Sequence, residues 1–144
     1  MSAMRSAASN TTALYLRLPA RAEVHATQEV TQQIALPFAL AARGRVHEQG
    51  LARLEVLSEA IRRSQRVVLL FSASDVTVMR IAVPPLPVHR LRQALPALVE
   101  DRIIGDPAAC VLAAGPPDDG FRRVGAIDRL WLEHWVERAA NAAG

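Results

Sequence analysis

The chain has 144 residues, 51% of them apolar, enough for one domain with a real core. Its formal net charge is only +3, yet its pI is about 10.3, because all 17 basic residues are arginine and none is lysine. The positive charge is scattered, which argues against a generic nucleic-acid binder. The single cysteine, Cys110, excludes an internal disulfide and a cysteine-based zinc site.

The first ten residues, MSAMRSAASN, are small and polar, with no stretch suited to a signal peptide. Residues 1–11 are expected to be disordered, and residues 12–144 to carry the fold. Residues 13–18, ALYLRL, alternate cleanly and predict a strand. Residues 22–30 and 34–42, with Val24, Thr27, Val30, Thr31 and Ile34, predict two further short strands. Pro37 argues for an edge or a break there, and the Gly44 region for a turn.

Residues 51–65, LARLEVLSEAIRRSQ, predict a helix burying Leu51, Leu54, Leu57 and Ile61. Glu59 can pair with Arg63 one turn on, and Arg62, Arg63 and Arg66 suit the C-terminal end of the dipole. Residues 67–71, VVLLF, are continuously apolar, as in a strand buried on both faces in the middle of a sheet. Residues 76–83 alternate in part and are expected to pair with 67–71 as a hairpin.

The stiff connector PPLP occupies 84–87 and leads into a helix over 87–104, with Leu91, Leu95, Leu98 and Val99 as its apolar stripe. Pro96 falls inside that helix, opposite the Arg92 carbonyl, so a bend or restart is expected there. Arg102 falls inside the stripe of an undistorted helix, and either Pro96 shifts the phase or the side chain snorkels. Residues 109–114 and 121–127 flank PPDDG at 116–120, the turn chemistry of a hairpin. Cys110, among apolar neighbours, reads as a small buried hydrophobe. Asp128 is placed to cap a last helix over 129–142, with Ile127 and Leu132 spaced as a hydrophobic staple. Trp131, Trp135, Ala139 and Ala142 share one face of it.

This order predicts an α/β fold of ribonuclease H-like or actin-like type. Its mixed sheet would hold a three-stranded meander, a crossover helix and further strands, with additional helices and a hairpin. The chemistry of such folds finds no counterpart in the residues. The first strand carries no acid to hold a divalent ion, so no two-metal nuclease is expected. The turn after it, LPARAEV, has no glycine to cradle a phosphate, and no Walker motif occurs. Glu100 and Asp101, adjacent on a helix, point about 100° apart and cannot grip one proton or metal together. The four histidines are far apart and have no partner at ligand spacing. No cofactor, metal or catalytic residue is expected.

The run RVVLLFSASDVTVMRIAVPPLP, then LRQALPALVEDRI, then a hairpin and a Trp-bearing helix, resembles the cytoplasmic part of the type II secretion system inner-membrane protein L, also called the general secretion pathway L protein. That family shows an apolar strand, a hairpin ending in V-x-x-P, and an ALP-x-x-LED helix. Here the last reads ALPALVED, at residues 94–101. The likeness is good over residues 64–142 and faint before them. It implies an actin-like region without nucleotide-binding signatures, on the cytoplasmic face of the bacterial inner membrane. In the family this region docks the secretion ATPase and works with the other inner-membrane platform proteins, and a dimer contact is expected. The family's cytoplasmic region is longer than this chain and is followed by a transmembrane helix and a periplasmic domain. The expectation is therefore a soluble piece, reaching the membrane only through segments not included here.

Three functions are set against one another. The first is a non-enzymatic docking scaffold whose partner is the N-terminal domain of the secretion ATPase. Its candidate interface is the connector and the outer face of the following helix: Leu86, Pro87, Arg90 and Glu100. The second is a truncated actin-like nucleotide-binding ATPase domain. The third is a nucleic-acid binder using Arg43/Arg45, Arg62/Arg63/Arg66 and Arg122/Arg123, which are better read as solvated surface.

Overall fold

A strand whose alternate side chains are leucine organises the first part of the chain. β1 (Ala13–Arg17) buries Leu14 and Leu16 completely. The computed structural model describes residues 11–27 and 33–144. The disorder expected of 1–10 and the strand expected over 28–30 fall outside these. The described chain divides into two units, one of residues up to Ser72 with Trp135–Gly144, the other of Ala73–His134.

The first unit holds a four-stranded sheet in the order β3-β2-β1-β4, with β2 (Leu36–Ala42), β3 (Arg45–Ala52) and β4 (Arg66–Leu70). β1, β2 and β3 run antiparallel in sequence and β4 lies parallel to β1. Thr12 and Gln65 lock the β1–β4 register at its start: the Gln65 N–H donates to the Thr12 carbonyl (3.0 Å), and the Thr12 N–H to Gln65 Oε1 (3.2 Å). A meander followed by a crossover is therefore present, but shifted along the sequence.

Residues 21–27 form α1 (Arg21–Thr27), not a strand. Glu23 Oε2 accepts from the Ala20 N–H (3.3 Å), which is half of a capping box, and this local bond outweighs the β-branched content of the segment. The third meander strand is β3, where the sequence predicts no element over 45–50 and places residues 51–52 in the following helix. Consecutive left-handed residues Arg43 (φ 53°) and Gly44 (φ 72°) make the two-residue turn that pairs β3 with β2. Leu51 thus ends up on an edge strand, 71% exposed, rather than in the core. The helix that remains is α2 (Ser58–Arg63), with Leu54, Leu57 and Ile61 buried as the periodicity predicts. The slip in register between Leu40 and Ala41 leaves His47 as an extra residue on β3, and its Nε2 donates to the Ala42 carbonyl at 3.2 Å. Pro37 sits in an inner strand, not an edge. It pairs with Leu51 but lies beyond the last β1 partner, Phe38, so its missing N–H falls past the end of that ladder.

β4 corrects another expectation. VVLL, with Arg66 before it, forms an edge strand of this sheet and Phe71 lies beyond it; Val67–Leu69 are half-buried and Leu70 is 46% exposed. Nor does it pair with the next strand. A 3₁₀ turn, Ala73–Asp75, follows it, and β5 (Val76–Ala82) belongs to the other sheet. The connecting SASD lacks the glycine that a tight hairpin turn uses, and β5 finds its partner far along the chain instead.

The second unit has an antiparallel sheet in the order β5-β7-β6, with β6 (Cys110–Ala114) and β7 (Phe121–Asp128). The predicted β6–β7 hairpin is present, with Asp119 (φ 50°) and Gly120 (φ 77°) at its turn. α3 (Val88–Val99) lies over the sheet's core: Leu91, Leu95 and Val99 pack with Ile81, Val83 and Val124. The helix runs unbroken through Pro96, whose ring is exposed, and ends at Val99 rather than 104. Arg102 therefore lies beyond the helix, exposed, which resolves its conflict with the stripe. Cys110 is half-buried, not sealed in the core.

α4 (Arg129–Ala142) closes the described chain, and Asp128 caps it as predicted, Oδ1 accepting from the Trp131 N–H at 3.0 Å. Trp131 and Ala139 are buried, and Trp135 is 1% exposed. In the first unit, the Arg138 guanidinium lies 5.6 Å over the Trp135 ring and reaches Glu55 at 3.4 Å.

Candidate interaction surface

On the actin-like expectation, the loop leaving β1 would be the place to hold a phosphate. Here it is short and occupied by the chain's own acid. Pro19 offers no N–H, and the Ala20 N–H already points at the Glu23 carboxylate. A carboxylate on that donor places negative charge where a phosphate would have to sit. Among the described residues no group of three or more His, Cys, Asp or Glu is placed to hold a metal ion. No helix among them is long and apolar enough to cross a membrane.

The predicted interface residues all lie in the second unit, along α3, but not as one cluster. Leu86 is half-buried and packs against the Ile81–Leu91–Val99 core, so it serves the connector's anchorage more than a free surface. Pro87 is exposed and occupies the N-cap position of α3 with φ −56°, pre-set for helix entry. Arg90 is exposed in the first turn. Glu100 is exposed at the C-cap, about 15 Å further along the axis at 1.5 Å per residue. The outer surface of α3 therefore carries positive charge at its start and negative charge at its end. Val88, also exposed, adds an apolar residue beside Pro87.

Two arginine side chains have no role in the sequence reading. Arg92 and Arg129 both line a groove beside α3, with Leu95, Pro96 and Val111. Arg129 NH2 donates to the Cys110 carbonyl at 2.9 Å, which ties the start of α4 to the start of β6. No sequence signal joins residues 37 positions apart. Only the β6–β7 hairpin brings Arg129 back to α3. Elsewhere in this unit Arg80 stacks on the Phe121 ring, 3.9 Å from its centroid, and Arg122 NH1 donates to the Gly115 carbonyl at 2.8 Å. These two arginines are engaged within the fold, so Arg122 is tied to backbone rather than simply solvated as the sequence suggests.

The family model for type II secretion system (T2SS), protein L, matches residues 14–144. The chain belongs to the type II secretion system protein L family. It is 37% identical over 75 residues to the type II secretion system protein L of Pseudomonas aeruginosa, a match covering 51% of this chain and 20% of that protein. It is 38% identical over 81 residues to the protein of the same name from Vibrio cholerae serotype O1, covering 54% of this chain and 19% of that one. Among solved structures it resembles the cytoplasmic domain of EpsL, an inner-membrane component of the type II secretion system of Vibrio cholerae. That likeness has a TM-score of 0.65 and 26% identity, and covers 92% of this chain and 53% of the other. The matches thus span about a fifth of the curated relatives' length and about half of the solved domain. The mixed α/β architecture is shared with that domain, and family membership implies a role in the secretion system.

Proposed function

We propose that this chain is a non-enzymatic docking module of the type II secretion inner-membrane platform, with a ribonuclease H-like or actin-like sheet used as scaffold. Its partners are the N-terminal domain of the secretion ATPase and the other platform proteins, met on the cytoplasmic face of the inner membrane, with a second copy of the chain as a further contact. The observation that carries this reading is the Glu23 carboxylate on the Ala20 N–H, which takes up the donor a phosphate would need. The β3-β2-β1-β4 order, with β4 parallel to β1, supports the scaffold's fold type. The exposed face of α3, from Pro87 and Arg90 to Glu100, is the docking surface proposed first. Leu86 contributes by fixing the connector to the core.

The test is titration calorimetry between a secretion ATPase's N-terminal domain and a longer family protein spanning the whole cytoplasmic region. Saturable binding is expected, and it weakens on Arg90→Glu or Glu100→Arg. Absence of binding would remove the proposal. The same protein with millimolar Mg-ATP should show an unchanged melting temperature. A rise that scales with ATP concentration would favour nucleotide binding instead.

A further inference from the structure

The groove beside α3 has a volume of about 280 Å³. The helix supplies Arg92, Leu95 and Pro96, and the opposite wall supplies Pro107, Val111 and Arg129. Among the described residues, its only charged side chains are the two arginines. The size falls just below the roughly 300–1,000 Å³ of pockets that enclose a small molecule. It suits one or two side chains of a peptide better than a nucleotide or a cofactor.

The chemistry of the walls narrows the occupant further. Pro96 and Val111 offer apolar surface, with the buried Leu95 behind them, and a bare inorganic anion does not use it. Arg129 is held in place by its bond to the Cys110 carbonyl, leaving further guanidinium donors for an incoming acceptor. Arg90, two residues from Arg92, lies about 160° away around the helix at 100° per residue, and so belongs to a different face.

Resting on the docking reading above, we propose that this groove receives a short segment of a partner protein that carries carboxylates next to apolar side chains. The arginines pair with the carboxylates, and the apolar side chains cover Pro96 and Val111.

The probe is a capped six-residue peptide alternating leucine and glutamate, with a twin in which glutamine replaces every glutamate. Both are titrated into the full ¹⁵N-labelled chain and followed by NMR. Saturable shifts are expected at the side-chain N–H groups of Arg92 and Arg129 and at the amides of β6. The glutamine twin should bind several-fold more weakly, since its amide oxygen still accepts from the arginines but the charge is gone. Arg92 is exposed, so Arg92→Glu leaves the fold intact and should weaken the glutamate peptide by a similar factor. Arg129→Gln gives a second, independent variant. Equal binding of the twin, indifference to Arg92→Glu, or shifts confined to other surfaces would overturn the proposal. So would groove shifts that follow chain concentration without peptide, which would assign the groove to self-association. The secretion ATPase domain separates the two readings. ATPase binding with no peptide response leaves the docking function standing and removes the groove. A peptide response without ATPase binding keeps the groove and removes the ATPase as its partner.

Discussion

Leu16 and Leu70 lie on neighbouring strands of one sheet, and the structure assigns them opposite energetic weights. Leu16 is 0% exposed in an inner strand, between Phe38 on β2 and Leu69 on β4. Leu70 is 46% exposed on the edge strand. Leu16→Ala deletes buried carbons worth about 0.8 kcal/mol per methylene, roughly 2.4 kcal/mol of transfer free energy. The cavity left behind brings the loss to about 3–4 kcal/mol. Leu70→Ala removes the same atoms from a half-solvated position and should cost about 1 kcal/mol. Against a total of about 5–15 kcal/mol for a domain, the first change is severe and the second mild. Urea unfolding at 25 °C, read by circular dichroism on the full chain, measures both. With a slope of about 2 kcal/mol per molar, the midpoint should fall by about 1.5–2 M for Leu16→Ala and about 0.5 M for Leu70→Ala. Equal losses would refute the sheet order, because they would require β4 to be covered on both faces.

Pro96→Ala should stabilise the second unit by about 1–2 kcal/mol, since it restores a helical N–H to an exposed site at a smaller cost in unfolded-chain entropy. A lower melting temperature would show instead that the proline's ring is needed where it sits. Asp128→Ala should lose about 1 kcal/mol through the bond to the Trp131 N–H, whereas Asp128→Asn keeps most of it; matched urea curves for the two variants decide. Gly44→Ala should cost about 1–2 kcal/mol from backbone strain alone, because φ is +72° and nothing lies within 4 Å of the added carbon. A neutral result in the same melt would mean that the β2–β3 turn is not left-handed there.

Local chemistry was readable wherever one short stretch holds the whole signal. The alternation of ALYLRL, the PPDDG turn, the Asp128 cap and the tryptophan face of α4 all appear where the residues place them. The ALPALVED helix carried the family resemblance, and the family match bears it out. Two of the errors came from segments whose local signals conflict. Residues 51 and 52 fit a helical stripe but belong to β3, since Arg43 and Gly44 fold that strand back onto β2 before the helix can start. Residues 21–27 favour strand by composition, yet one carboxylate–amide bond from Glu23 to Ala20 closes a helical turn.

The sequence by itself determined which residues are apolar, where the turns fall, how the last helix is capped, and that the loop after the first strand holds a proline and no glycine. Only the tertiary structure decided that VVLL is an edge, that β5 leaves β4 for β7, and that Arg92 and Arg129 line one groove. The physical reason is the range of the interactions. Caps, turns and amphipathic faces are set by bonds within about four residues. Strand order and grooves depend on hydrophobic burial and ladder pairing between segments tens of residues apart, which leave no mark in either segment alone.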